Sequence, residues 1–258
     1  MADLSPLLAQ GGNEPSLINS FFNPTEFANV IGPLLTEGMR ITLIVSFGAF
    51  CLGILGGLVL GLLGISRHWF FRWPARLYVD LFRGLPAVVT ISLVGLGVPL
   101  ALSPIGGAPW GRNQMIAAII ALGLVCMAYC AEIFRAGIQA VDAGQSEAAR
   151  SLGMSAGQTM RLIVIPQAFR KIIPPLTNEF IAITKDSSLI FVLGLAIGGR
   201  DLYRVGSEFA QQSGNYSAVV AAGLCYLLIT IPMTRIANWL EVRMNPDMTP
   251  LEKHKRAA

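Results

Sequence analysis

The sequence predicts an all-α integral membrane protein of five transmembrane helices, with its N-terminus outside and its C-terminus in the cytoplasm. Three observations lead there. First, 53% of the 258 residues are hydrophobic and only 13% charged, with a mean hydropathy of +0.60, well outside the range of a soluble domain. Second, apolar stretches of roughly 20 residues recur at 39–65, 77–102, 114–138, 174–198 and 215–240. In hydrocarbon such stretches must satisfy their own backbone N–H and C=O groups, which a helix does internally. Third, Lys and Arg are unevenly shared among the segments between these stretches, which fixes orientation. The whole chain, 1–258, reads as a single membrane domain.

The segments follow in order. Residues 1–35 form an external tail: Asp3, Glu14, Glu26 and Glu37 precede the first basic residue, Arg40. Residues 1–20 have neither a basic n-region nor an adequate apolar h-region, so the first span is expected to direct insertion. Phe21 to Ile31 fits two readings, an amphipathic segment along the outer membrane surface or an irregular tail. In the first span Gly53, Gly57 and Gly61 repeat every four residues, a small-residue seam for close helix packing. Arg67, Arg72 and Arg76 mark the first loop as cytoplasmic. Arg150, Arg161, Arg170 and Lys171 do the same for the third, and Arg243, Lys253, Lys255 and Arg256 for the tail. The outer loops hold only Arg112, then Arg200 and Arg204 offset by Asp201 and Glu208. The net charge of +4 is therefore topological, facing anionic lipid, and calls for no nucleic-acid partner. In the second span Pro86, Gly95, Gly97 and Pro99 interrupt the backbone ladder. They are either ordinary kinks or a broken helix whose freed backbone groups meet a polar substrate.

The third loop carries the most information. Asp142 with Gln145 and Ser155 with Gln158 each have capping-box spacing, Gly153 supplies a stop between them, and Pro166 is expected to end the second helix. A hinged pair of short helices rich in small residues, set between spans, suits a groove on a soluble partner. Gly153-Met154-Ser155-Ala156-Gly157 matches the G-x-S-x-G elbow, but a helix rather than a strand precedes the serine and no triad histidine is at hand. A helix-turn-helix reader of DNA does not suit a unit embedded between spans. No phosphate-binding G-x-x-x-x-G-K-[ST] occurs, so no catalytic residue is assigned and any fuel is handled elsewhere. Cys51, Cys126, Cys130 and Cys225 lie inside apolar spans and read as small hydrophobes; no metal site is assigned.

Charge inside a span is costly and by default marks a substrate route. Glu179 and Asp186, seven apart, share one face of the fourth span, with Lys185 beside them. Either they line a pathway, or Lys185 and Asp186 neutralise each other locally. Asp80 with Arg83, and Glu132 with Arg135, are helix-end pairs of mainly structural spacing.

Several stretches together resemble the permease subunit of ABC importers for polar amino acids: Ala128-Tyr129, Ala131 to Ile138, Gly144 to Ala149 with Gly153, Pro166 to Arg170, Pro174 to Phe180, and Lys185 to Leu189. The likeness is strong over 128–194 and weaker at Leu81 to Gly84 and elsewhere. It departs from the family pattern at Leu85, where Thr is usual, and at Ile165, where Leu is usual. The resemblance implies a type I importer permease in a bacterial inner membrane, working by alternating access. Its partners would be a second permease subunit, identical or paralogous, two cytoplasmic ATP-binding subunits that hold ATP and Mg, and an extracytoplasmic amino-acid binding protein. Residues 144–166 would be the coupling helices, with Glu147, Ala148, Ala149, Gly153 and Pro166 at the ATPase contact. Arg83, Pro86, Glu179 and Asp186 stand as the substrate-pathway residues. No cofactor is expected in this chain. A passive channel, or a structural subunit uncoupled from any ATPase, is the competing reading.

Overall fold

The computed structural model describes residues 17–195 and 198–244, and every regular element among them is helical. Asp3, Glu14, Lys253, Lys255 and Arg256 lie outside the described residues. The elements are α1 (Leu17–Phe21), α2 (Pro24–Pro33), α3 (Met39–Gly64), α4 (Trp69–Gly84), α5 (Ala87–Ser92), α6 (Val98–Ala101), α7 (Gln114–Gln139), α8 (Ala143–Ser151), α9 (Ala156–Thr159), α10 (Ile165–Asp186), α11 (Leu202–Ser213) and α12 (Ser217–Met244). Wide π-helical turns at Leu34–Gly38, Leu93–Gly97 and Met160–Val164 connect α2 to α3, α5 to α6 and α9 to α10.

The most extensive helix pair is α3 on α7, and glycine makes it possible. A Cβ on Gly53 would come within 2.4 Å of Cys126 Sγ, one on Gly57 within 2.6 Å of Cys130 Cβ, and one on Gly61 within 2.9 Å of the Ala131 carbonyl. The seam read from the sequence is thus the α3–α7 contact, and Cys126 and Cys130 are its buried knobs. Ile41, Val45, Ile91, Leu122, Ile183 and Ile190 extend this main core across α3, α5, α7, α10 and the turn after α10. A second core joins Val30 and Leu34 to Leu202, Val205, Ala218 and Cys225, so α2, α11 and α12 close one end of the bundle. The segment Phe21 to Ile31 is therefore helical from Pro24 and packed on α12, with Ile31 and Leu35 still exposed.

The spans at 39–65, 114–138 and 215–240 correspond to long apolar helices, the first extending back to Ile18. The stretch 77–102 does not form one straight helix: α4 and the α5–α6 run meet at 107°. Leu85 is extended (φ −87°, ψ 139°), as the residue before a proline prefers, and its conformation makes the corner. Nor does Pro166 end a helix. Ile165 N–H donates to Met160 O across the wide turn, so the ladder opens where the proline brings no N–H, and α10 continues to Asp186. Val98 N–H reaches back to Leu93 O in the same way just before Pro99. The stretch 174–198 resolves into the end of α10 and a 3-10 segment, Ser187–Leu193. Arg170, Lys171, Glu179, Lys185 and Asp186 make α10 much less apolar than the other long helices. Among the described residues, three helices are long and apolar enough to cross a membrane, or four when the bent pair counts as one span.

Candidate coupling surface and translocation path

Each end of the α8–α9 hairpin is fixed by local chemistry. Asp142 Oδ1 accepts the Gly144 N–H at 2.6 Å and opens α8. Gln145 does not return that bond: its Oε1 lies 3.5 Å from Gln167 Nε2 on α10, so the first box is a simple cap. The second box is complete, with Ser155 N–H donating to Gln158 Oε1 (2.8 Å) and Gln158 N–H to Ser155 Oγ (3.3 Å). Gly153 takes φ +84°, and Met154 N–H reaches back to Ala149 O, the left-handed stop that glycine adopts most easily. With its hydroxyl in a cap and a helix ahead of it, Ser155 has no nucleophile geometry.

The hairpin has an inner and an outer face. Ala149 is 5% exposed and Thr159 and Val164 are buried, so Ala149 holds the hairpin together rather than facing outward. Glu147, Ala148, Gly153 and Pro166 are exposed. Beside them stand Leu152, 85% exposed, and Leu162, 61% exposed. Sequence reasoning missed these two; their signal was large apolar side chains amid the polar residues of a capped hairpin.

Three of the pathway residues stand within electrostatic reach of one another, since the Glu179 carboxyl feels both Asp186 and Arg83. Arg83 lies over the Tyr129 ring at 5.4 Å from its centroid and opens onto a cleft with Arg76, Asp80 and Arg135, which includes neither Pro86, Glu179 nor Asp186. Pro86 caps α5 at the corner. One turn on, Thr90 Oγ1 is the buried side-chain polar atom without a partner among the described residues. Glu179 and Asp186 are both half-buried on α10, whereas Lys185 is exposed and forms no ion pair with Asp186 among the described residues. Glu132 and Arg135 pair as their spacing suggests.

At the opposite end of the bundle from the hairpin, Arg200 is held by Glu37 and Glu208, and Arg204 by Glu208 as well. Asp201 is not part of this balance. It caps α11 by accepting the Tyr203 N–H (2.9 Å) and takes the Tyr226 hydroxyl at 3.2 Å. Burial pushes its carboxyl up to about 6, against those hydrogen bonds.

The family model described as "Binding-protein-dependent transport system inner membrane component" matches residues 53–246, from the glycine seam through the hairpin to the end of α12. This chain belongs to that family. Among its relatives is an arginine transport system permease protein of Bacillus subtilis, 37% identical over 216 residues, covering 83% of this chain and 94% of the relative. A glutamate/aspartate import permease protein of Escherichia coli O6:H1 is 36% identical over 213 residues (82% and 93%). A crystal structure of an amino acid ABC transporter with histidines superposes with a TM-score of 0.71 at 31% identity, covering 94% of this chain and 99% of that one. The MetNI methionine ABC transporter, in an inward-facing conformation, shares the fold at 19% identity with a TM-score of 0.66. The protein is a permease subunit of the ABC importer type, and in such transporters ATP hydrolysis lies in a separate subunit.

Proposed function

We propose that this permease serves an importer of polar amino acids, and that residues 144–166 couple it to two ATP-binding subunits. The observation that carries the reading is the α8–α9 hairpin: capped at both helices, closed on its inner face by Ala149, and offering Glu147, Ala148, Leu152 and Gly153 to a partner. Such a rigid projection transmits a push because bending it breaks its caps. ATP-driven closure of the partner dimer would move the hairpin, and through α7 and α10, which flank it in sequence, would switch the bundle between inward- and outward-facing states.

In this reading α10 completes a set of five spans, its charges tolerated because Glu179 and Asp186 border a wet pathway instead of lipid. The N-terminus is external and the C-terminus cytoplasmic, in a bacterial inner membrane. A second permease subunit completes the pathway, an external binding protein delivers substrate, and ATP with Mg is held by the partner ATPases. The corner at Leu85 and Pro86, with Arg83 before it, contributes to the route; Leu85 in place of a hydroxyl residue bears on substrate choice.

The deciding experiment is uptake of labelled polar amino acids into proteoliposomes that hold this permease, its ATPase and its binding protein. Uptake should require both ATP and the binding protein. Equal uptake without ATP would establish the passive channel instead.

A further inference from the structure

We propose that the cleft beside α4 binds the phosphate headgroup of an anionic phospholipid, with the aromatic first half of α4 resting on the same lipid. This rests on the permease reading only in assigning the leaflet as cytoplasmic; the cleft itself lies at the hairpin end of the bundle, where α3 and α7 finish.

Trp69, Trp73, Arg76, Asp80 and Arg83 follow one another at spacings of four and three, and so form one stripe along α4. Trp69 and Trp73 are 70% and 61% exposed, and Phe70, Phe71, Leu77 and Leu81 continue an open apolar surface beside them. An amphipathic helix bearing Trp, Phe and Arg is built for the boundary between headgroups and acyl chains. The stripe runs into a cleft of about 360 Å³ lined by Gly61 and Gly64 of α3, Arg76, Asp80 and Arg83 of α4, and Arg135 of α7. That volume falls within the range of small-ligand sites. Its charges do not cancel. Glu132 also lines the cleft and gives both oxygens to Arg135, so three arginines, Arg76, Arg83 and Arg135, face two carboxylates, Glu132 and Asp80, and one positive charge is left over. Neither Arg76 nor Arg83 is in an ion pair among the described residues. Two guanidinium forks at the foot of a tryptophan stripe match a phosphodiester that carries acyl chains; a free phosphate has no use for the stripe.

The test uses the full chain in phosphatidylcholine nanodiscs, with Trp110→Phe and Trp239→Phe so that Trp69 and Trp73 report alone. Brominated phosphatidylglycerol should quench at a mole fraction about fivefold or more below that needed for brominated phosphatidylcholine. Arg76→Gln with Arg83→Gln should bring the two lipids within about twofold, while Arg76→Lys with Arg83→Lys keeps an intermediate preference. If the double glutamine variant does not elute as folded protein on gel filtration, Arg76→Gln alone should still halve the preference. Equal quenching of the unsubstituted pair by both lipids overturns the proposal, as does a preference untouched by the glutamine variants. Quenching by neither lipid would mean that protein covers the stripe, and relief of quenching by soluble glycerol phosphate would make free phosphate the occupant; each overturns it too. Absence of any headgroup preference in the protein that keeps Arg76 and Arg83, with its ATP-driven uptake intact, rejects this inference alone, whereas preference without such uptake rejects the importer reading alone.

Discussion

Glu37 and Arg200, 163 residues apart in sequence, meet in a two-pronged pair: Arg200 Nη2 donates to Glu37 Oε2 at 2.6 Å and Nε to Oε1 at 3.0 Å. Glu37 Oε1 also accepts the Gly198 N–H (2.6 Å), so one carboxylate fastens the loop ahead of α11 to the wide turn that leads into α3. The side chains are 12% and 14% exposed, which puts the pair beyond the weak regime of surface ion pairs. Glu37→Gln and Arg200→Met should each lower stability by about 2 kcal/mol, because each leaves a desolvated partner. The double variant should cost clearly less than the sum, read as thermal midpoints of detergent-purified protein. Strict additivity would mean that the pair contributes nothing.

The hairpin predicts a separation between folding and coupling. Ala148→Trp and Leu152→Asp alter exposed side chains, so the permease should accumulate in the membrane at normal levels while ATPase association and transport fall by about tenfold or more. Ala149→Trp, at a buried position, should instead disrupt the hairpin itself. Proteolysis and co-purification tell the two apart: Ala148→Trp that co-purifies normally with its ATPase would remove this face from the contact.

The seam predicts a contrast between glycines. Gly53→Ala drives a Cβ to 2.4 Å from Cys126 Sγ and should cost about 1–3 kcal/mol, with visible loss of folded protein. Gly223 of α12 has nothing within 4 Å of an added Cβ, so Gly223→Ala should be neutral or slightly stabilising. Fluorescence-detected gel filtration after heating ranks the two variants, and equal behaviour would deny the α3–α7 contact.

Asp201, in the loop before α11, supplies a pH signature. Its folded-state pKa, about 6, lies above the ordinary carboxylate value, so the native state binds the extra proton. Stability from this group is therefore greatest at low pH, falls as pH rises from about 4 to about 6, and is level above that. Asp201→Asn keeps the cap and removes the titration. Its thermal midpoint should gain on the unsubstituted protein at pH 7 relative to pH 5, and a difference independent of pH would count against a buried carboxylate there.

Topology is tested by labelling. In a background without the four native cysteines, Gly107→Cys and Ser213→Cys should react with an impermeant thiol reagent added outside intact cells, and Ala156→Cys should not. The reverse pattern would invert the orientation proposed above.

Much was legible without coordinates because it depends on local order along the chain. Apolar length gave the three long helices, four-residue glycine spacing gave the α3–α7 seam, and the Ser155–Gln158 box with Gly153 gave the hairpin, since each is decided within a few turns of one helix. The proline positions misled where the outcome depended on a turn's hydrogen bonds: a wide turn before Pro166 lets α10 run on, while extended Leu85 before Pro86 makes a 107° corner. Only the folded chain decided which small residue of the hairpin faces inward, Ala149 rather than Ala148, and that Arg200 answers to Glu37 while Asp201 turns to Tyr226. Those choices rest on contacts between residues far apart in sequence, where burial and charge select partners that no local spacing encodes.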